Sequence, residues 1–182
     1  MIIIRYASIR SLDISNGQDV GVSLFVQGCH FHCYNCFNSE LWDFNGGKEW
    51  TLEIEEKFIE LIDRPYIKRI SILGGEPLSD ENLTTVLHIV DTIKDRFPEK
   101  SIWLYSGYVW ENIFPPIHTN EFDINRCFRQ SILSNCDVMV DGQFVDQLKD
   151  LSLKFRGSKN QRIIDVQKSI DCDCLVLWQD NN

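Results

Sequence analysis

The chain has 182 residues and carries 27 acidic against 18 basic side chains, for a formal net charge of −9. This length suits one domain with its own hydrophobic core, and the acidic balance argues against nucleic acid as a partner, because phosphate binding needs a positive field. No apolar run approaches the ~20 residues that span a bilayer, and the first residues lack the basic and long apolar regions of a signal peptide. We therefore expect a cytoplasmic protein without a membrane partner.

The first predicted elements are two short strands, at residues 2–7 and 22–27, that are rich in β-branched and aromatic residues. The second strand runs directly into Gly28 and the stretch Cys29-His30-Phe31-His32-Cys33-Tyr34-Asn35-Cys36-Phe37. Its three cysteines would therefore lie at the carboxyl end of a strand, where open α/β sheets and barrels keep their active sites.

Cysteines at the spacing C-x3-C-x2-C are soft ligands for iron–sulfur clusters, zinc or copper. An ordinary [4Fe–4S] cluster takes four cysteines, so a cluster on Cys29, Cys33 and Cys36 would leave one iron open to another ligand. The alternatives are a zinc site completed by His30 or His32, and cysteines that bind nothing. Structural zinc usually takes its ligands as two separated pairs. The sequence has no second pair of this kind, and the spacing therefore favours the open cluster.

Beyond this stretch, predicted helices alternate with predicted strands. The strand at 68–73 runs into Gly74-Gly75-Glu76-Pro77, and two glycines at a strand end let the backbone approach a ligand closely. Ser106 follows a strand at 101–105 and Asp141 follows one at 137–140, and both are equally well explained as turn residues. Helices are predicted from Thr51 to about Asp63 and from Ser79 or Asp80 to about Phe97, whereas residues 109–135 give no clear element.

The alternation predicts parallel βα units. The chain is too short for the ~250 residues of a full eight-stranded barrel. We therefore predict an α/β fold, an incomplete open parallel barrel, in a single domain over 1–182. Its core would span about 11–166, and residues 167–182 would be a C-terminal extension of unassigned role. Cys172 and Cys174 in that extension are not expected to be part of a disulfide framework in a cytosolic chain.

The cysteine spacing, combined with Gly74-Gly75-Glu76-Pro77, resembles the radical S-adenosylmethionine superfamily. The resemblance implies that family's open barrel, a [4Fe–4S] cluster on the three cysteines, and S-adenosyl-L-methionine chelating the fourth iron. It also implies that Gly74 and Gly75 offer backbone groups, and Glu76 an acceptor, to the methionyl ammonium. The residues that it implies for cofactor binding are Asn35, Phe37, Gly74, Gly75, Glu76, Ser106 and Asp141.

Four shorter runs, at 35–38, 43–46, 140–144 and 156–161, are similar to a subgroup that contains the activating enzymes of anaerobic ribonucleoside-triphosphate reductase. That subgroup implies an oxidoreductase in which a flavodoxin-like donor reduces the cluster and S-adenosyl-L-methionine is cleaved. The resulting 5′-deoxyadenosyl radical would take hydrogen from a glycine of the reductase, so no catalytic residue beyond cluster and cofactor is predicted. The alternatives are a small radical enzyme acting on a free metabolite, and a non-enzymatic zinc or iron–sulfur module.

Overall fold

The computed structural model describes residues 5–115 and 122–179. Within these ranges the chain forms one seven-stranded sheet in the order β3-β1-β2-β4-β5-β6-β7. No helix of these ranges is long and apolar enough to cross a membrane. The strands are β1 (Arg5–Asp13), β2 (Gly21–Val26), β3 (Lys48–Glu49), β4 (Arg69–Gly74), β5 (Ser101–Tyr105), β6 (Val138–Asp141) and β7 (Arg162–Asp165). The helices are α1 (Leu52–Ile62), α2 (Leu83–Arg96), α3 (Trp110–Ile113), α4 (Ile124–Ser134) and α5 (Val166–Cys172).

The centre of the sheet is parallel and its edges are antiparallel. Strands β2, β4, β5 and β6 pair in parallel, as the alternation of elements predicted. However, β1 is antiparallel to β2, and β7 is antiparallel to β6. The prediction of a purely parallel sheet is therefore wrong at both edges. The link between β1 and β2 covers only residues 14–20, fewer than the dozen that a parallel crossover needs, and the link between β6 and β7 contains no α-helix.

The two faces of the sheet have different roles. One face carries the main hydrophobic core, in which α1, α2 and α4 pack against alternate residues of the central strands. The opposite face carries two rows of side chains that run across β2, β4 and β5. From β2 to β5 these rows read Ser23, Ser71, Trp103 and, nearer the carboxyl ends, Phe25, Leu73, Tyr105.

A buried cation holds the β1–β2 link against this second face. Arg69 is 1% exposed and donates to the backbone carbonyls of Asn16 at 2.6 Å, Gln18 at 2.9 Å and Asp13 at 2.8 Å. Gly17 fits beside it with φ +133°, a conformation open chiefly to glycine, and a Cβ there would lie 2.5 Å from Arg69 Cδ. The link therefore covers the row formed by Ser23, Ser71 and Trp103.

The predicted start of the first helix is confirmed, whereas the second helix begins later than predicted. Thr51 caps α1 as predicted, because its hydroxyl accepts a hydrogen bond from the Ile54 N–H at 3.3 Å. The second helix begins at Leu83, later than predicted, because residues 76–82 form successive turns: the Ser79 N–H donates to the Glu76 carbonyl and the Asn82 N–H to the Ser79 carbonyl.

The unassigned segment 109–135 contains α3 and α4. Asp123 caps α4 by accepting from the N–H groups of Asn125 and Arg126, a pattern that the sequence carries but that Pro115-Pro116 obscured. Residue 116 lies outside the described residues, together with the rest of 116–121. So do residues 2–4 of the first predicted strand and residues 180–182 of the extension.

The C-terminal extension folds onto the sheet. Helix α5 follows β7 directly, and Trp178 then packs edge-on against Trp103 with ring centroids 5.1 Å apart. Cys172 and Cys174 form a disulfide, so the expectation of reduced thiols is wrong for this pair. The left-handed conformation of Asp173 between them (φ +50°) brings their Cα atoms to 5.2 Å, within the range that disulfides span.

Candidate functional site

A cavity of about 540 Å³ lies at the carboxyl ends of β2, β4 and β5, a size that suits a small-molecule ligand. Its wall brings together most of the predicted site residues, because parallel strands end at the same edge of a sheet. Asn35 and Asp141 are the predicted residues outside its wall. The predicted residues that line it are Cys29, Cys33, Cys36, Phe37, Gly74, Gly75, Glu76 and Ser106.

The cysteine loop is held by backbone hydrogen bonds. The Cys29 N–H donates to the Trp42 carbonyl at 3.1 Å, and the Cys36 N–H donates back to the Cys33 carbonyl at 3.1 Å. Asn35 lies inside that turn with φ +54°, a left-handed conformation that asparagine adopts more readily than most residues. Its side chain is exposed, so Asn35 turns the chain between Cys33 and Cys36 and does not face the cavity.

The two glycines after β4 bring that strand end against the cysteine loop. The Gly75 N–H donates to the Val26 carbonyl at 2.9 Å, and the Glu76 N–H donates to the Gly28 carbonyl at 2.7 Å. A Cβ on Gly75 would lie 2.3 Å from the Gly28 oxygen, and Gly74 adopts φ +111°. The sequence predicted a close approach of this backbone to a ligand, and the structure shows a close contact between two backbone segments.

Two asparagines that sequence reasoning missed complete this junction. Buried Asn82 donates from its side-chain amide to the carbonyls of Gln27 at 3.1 Å and Glu76 at 2.9 Å. Asn38 donates from its side chain to the Gly74 carbonyl at 3.3 Å, and its N–H lies 3.4 Å from the Cys36 sulfur. The sequence signalled Asn38 only as part of the run at 35–38, and nothing in it signalled Asn82, which lies inside the helix predicted from Ser79 or Asp80.

Glu76 is a buried carboxyl group, 2% exposed, at the centre of the cavity wall. It accepts hydrogen bonds from the Ser106 hydroxyl at 2.8 Å, the Leu78 N–H at 2.8 Å and the Gly107 N–H at 2.7 Å. Burial nevertheless outweighs these three donors and raises the pKa of Glu76 to about 7. A cation that bound beside it would favour the ionised form.

This raised pKa predicts a pH-dependent stability. The unfolded chain loses the Glu76 proton near pH 4.5, whereas the folded protein keeps it up to about pH 7. Because the folded state binds the extra proton, the free energy of unfolding should fall by about 3 kcal/mol across this interval. Urea unfolding of the metal-free protein at pH 5, 6 and 7 should show the fall, and Glu76→Gln should remove this component. The same pH dependence in both proteins would show that Glu76 ionises normally.

The three loop cysteines are free thiols suited to a metal cluster. Burial, with a smaller contribution from the nearby Glu76 carboxylate, raises the pKa of Cys29 to about 11, and burial also raises the pKa of Cys33. Metal binding must therefore displace protons from thiols that are protonated at neutral pH. The positive charge of the metal supplies the driving force for that deprotonation.

Among the residues that the structure describes, the donors are not arranged around a single metal ion such as zinc. Within residues 5–115 and 122–179, no three His, Cys, Asp or Glu side chains converge closely enough to hold one metal ion. Zinc would draw thiolates to about 3.8 Å from one another, given a zinc–sulfur distance of about 2.3 Å, whereas a cubane binds one thiolate per iron. The candidate fourth zinc ligands have other partners: His30 lies 2.8 Å from Glu81, and His32 stacks on Trp42.

Asp141 does not reach the cavity. Its fully buried carboxylate accepts from the Trp110 N–H at 2.9 Å and from the Arg162 guanidinium at 3.0 Å. Arg162 also binds both oxygens of Glu111, at 2.8 and 2.7 Å, and these two carboxylates raise the pKa of Arg162. Asp141 therefore fastens β6 to β7 and α3, and it lies outside the cavity wall.

The run at 156–161 closes the long β6–β7 link beside the cavity. The side chain of Gln161 donates to the Gly142 carbonyl at 2.9 Å and accepts from the Gly157 N–H at 2.9 Å. Arg156 donates to the Gln161 carbonyl at 2.6 Å. A Cβ on Gly157 would lie 3.0 Å from the Phe37 ring, so the backbone of Gly157 lies close to that ring. The run thus folds the link into part of the cavity wall beside Phe37 of the cysteine loop, a role that its spacing alone did not reveal.

Comparison with known proteins supplies an independent line of argument. The profile of a family described as "4Fe-4S single cluster domain" matches residues 15–164. A Vibrio cholerae protein named anaerobic ribonucleoside-triphosphate reductase-activating protein is 35% identical over 161 residues, which cover 87% of this chain and 96% of that protein. Proteins of the same name from Escherichia coli (35% over 159 residues; 86% and 96% coverage) and Enterobacteria phage T4 (32% over 159 residues; 87% and 92%) are also similar.

Proposed function

Since the chain belongs to the family of anaerobic ribonucleoside-triphosphate reductase-activating proteins, we propose that it generates a glycyl radical on such a reductase by reductive cleavage of S-adenosyl-L-methionine. The observation that carries this proposal is the shared cavity wall. Three free cysteines of one loop and the Gly-Gly-Glu turn of the next parallel strand line the same cavity. The proposed cluster ligands and Glu76, the proposed acceptor for the methionyl amino group, therefore line the same cavity.

In this proposal Cys29, Cys33 and Cys36 hold a [4Fe–4S] cluster. When bound, the cluster and S-adenosyl-L-methionine supply a 5′-deoxyadenosyl radical, through one-electron cleavage of the carbon–sulfur bond that also releases methionine. The chain would orient the methionyl amino group with Glu76, whose carboxyl group is itself fixed by the Ser106 hydroxyl and the Gly107 N–H. The N–H groups of that amine would donate to the ionised carboxylate and so favour release of the Glu76 proton to solvent on binding.

The remaining cavity wall protects the radical from side reactions. Phe25, Leu73 and Phe155 give part of the cavity an apolar surface, and exclusion of water by a bound cofactor and partner there would limit unwanted hydrogen transfer and hydrolysis. The reaction at glycine removes a hydrogen atom, so no residue of the chain has to act as general acid or base. The part of the protein is positioning, and the cofactors carry the difficult chemistry.

The proposal also includes the type of barrel and the cellular location of the protein. We take the parallel strands β2, β4, β5 and β6, with the cavity at their carboxyl ends, as the incomplete barrel of the radical S-adenosylmethionine type in a single domain. A flavodoxin-like protein in the cytoplasm would supply the electron. Phe37 would contact the cofactor from the cavity wall, and Asn35 would shape the cluster loop.

The test is activation of the reductase in the absence of oxygen. The reconstituted protein is mixed with S-adenosyl-L-methionine, a strong reductant and the reductase of the same genome, and electron paramagnetic resonance is recorded. We expect a glycyl radical signal on the reductase, together with 5′-deoxyadenosine, and neither product when S-adenosyl-L-methionine is omitted. Product that depends on a small metabolite and not on the reductase would favour the metabolite enzyme. Bound zinc, or a cluster indifferent to S-adenosyl-L-methionine, would favour the non-enzymatic module.

A further inference from the structure

The disulfide between Cys172 and Cys174 lies in a part of the chain that the proposed function does not use. Cys172 is the last residue of α5, and Cys174 follows two positions later. The pair lies beyond residues 15–164, which match the family profile. Both cysteines are exposed, and thiol–disulfide exchange requires a sulfur that an attacking thiolate can reach. The bond is therefore accessible to the thiolate of a partner.

This bond closes too short a loop to act as a structural cross-link. A disulfide stabilises a fold mainly by closing a loop in the unfolded chain, and the effect grows with loop length. Here only Asp173 separates the two cysteines. Asp173 has φ +50°, a left-handed conformation that costs free energy for residues other than glycine, although less for Asp than for most. Exposed or strained disulfides are the labile ones, and this bond is exposed and encloses a residue in an unfavourable conformation.

Hydrogen bonds hold the tail against the sheet without help from the disulfide. The Val176 N–H donates to the Ser169 hydroxyl at 2.9 Å, and the Val176 carbonyl accepts from the Asp165 N–H at 2.9 Å. The Trp178 N–H donates to the Ile163 carbonyl at 2.9 Å. These contacts join the tail to α5 and β7, so the disulfide can open and close while the fold stays intact.

A disulfide of this kind fits a cytoplasmic protein best as a reactive group. The cytoplasmic location is itself part of the proposed function. Thiol systems of the cytoplasm keep most cysteines reduced, and the disulfides that occur there are usually transient and catalytic or redox-sensing. A bond that is exposed, closes a short loop and is not needed to hold the tail belongs to this reactive class.

We propose that Cys172 and Cys174 form a thiol–disulfide exchange site that takes two electrons from two thiols of a partner. The first partner thiolate attacks one sulfur, the bond between Cys172 and Cys174 breaks, and a mixed disulfide forms. The second partner thiolate attacks the partner's sulfur in that mixed disulfide and releases the cysteine. The partner thiols end as a disulfide, and their two protons pass through solvent to Cys172 and Cys174, which end as thiols.

Differential alkylation of the full chain tests this proposal, with reduced glutathione and the dithiol protein thioredoxin as probes. The chain is first treated with oxidised glutathione, then with each probe in the absence of oxygen, and is alkylated with N-ethylmaleimide before unfolding. The tryptic peptide that follows Lys168 contains Cys172 and Cys174 and no other cysteine. We expect both to be alkylated after either probe, and the faster probe identifies the source of the thiols. Fully buried Cys136 should stay unmodified, which shows that the protein remained folded.

Two results would overturn the proposal. A pair that resists both probes in the folded protein, but is reduced after unfolding in urea, would be a structural disulfide. A pair that oxidised glutathione cannot convert to a disulfide would not be an exchange site at all.

Asp173→Asn tests whether the attack occurs at this bond. The carboxylate between the two cysteines repels the attacking and the leaving thiolate, whereas asparagine removes the charge and keeps the left-handed conformation. Reduction by glutathione should be about fivefold faster at low salt, and the difference should shrink at high salt. Asp19→Asn is the matched control, because Asp19 is also an exposed aspartate, with φ +63°, but lies in the β1–β2 link. An unchanged rate in Asp173→Asn would contradict attack at this bond. These measurements need neither cluster nor reductase, so failure of the proposed function would not alter them.

Discussion

Cys33→Ala is expected to reduce cluster loading and S-adenosyl-L-methionine cleavage to background. Cys33 lies between Cys29 and Cys36 in the loop that lines the cavity, and two remaining thiolates cannot hold a cubane that already has one open iron. Cysteines outside the loop are not placed to replace it. Cys136 is fully buried, and Cys172 and Cys174 form a disulfide with each other.

The measurement is iron and sulfide content after anaerobic reconstitution, together with the electron paramagnetic resonance spectrum of the reduced protein. Cys127→Ala is the matched control, because Cys127 is also a free, partly buried thiol but lies on α4, outside the cavity wall. We expect full loading in this control. A cluster that survived in Cys33→Ala, or that disappeared in Cys127→Ala, would mean that the ligands are not the three loop cysteines.

Gly75→Ala is expected to have the second largest effect, a loss of about 1–3 kcal/mol in the free energy of unfolding and of most cluster loading. The added Cβ would lie 2.3 Å from the Gly28 carbonyl oxygen, which is backbone and cannot rotate away. Relief of this contact requires the Glu76 N–H to move away from the Gly28 carbonyl that it now reaches at 2.7 Å. Cys29 follows Gly28, so the first cluster ligand moves with it.

Urea unfolding and iron content measure the two parts of this effect. Gly142→Ala is the comparison, because Gly142 has φ +97° but its nearest neighbours would lie 3.8 Å from an added Cβ. It therefore introduces backbone strain without pushing the cysteine loop. We expect it to lower stability and to keep the cluster. Normal cluster loading in Gly75→Ala would show that the contact between the two loops does not position Cys29.

The cavity wall was accessible to sequence reasoning because it depends on local patterns. Cys29 and Gly74 each follow a recognisable strand, and parallel strands bring their carboxyl ends to one edge. The role of Asp141 was not accessible, because its partner Arg162 lies 21 residues away and nothing in the spacing pairs them.

The direction of the edge strands was missed for a related reason. Alternating helices and strands predict parallel pairing only where a crossover helix intervenes. The β1–β2 link has no room for one, and a buried Arg69 stabilises it instead. A lone arginine within a strand pattern gave no sign of that role. Helix α4, in contrast, carried its Asp123 cap in the sequence.

Transfer of hydrogen from the target glycine to 5′-deoxyadenosine tests the proposed function most directly. The reductase is prepared with glycine that is deuterated at the α-carbon, activated by the reconstituted protein with S-adenosyl-L-methionine, and the 5′-deoxyadenosine is analysed by mass spectrometry. We expect one deuterium in the 5′-deoxyadenosine and a glycyl radical on the reductase. A glycyl radical accompanied by unlabelled 5′-deoxyadenosine would contradict direct hydrogen transfer from glycine to the cofactor radical in this cavity.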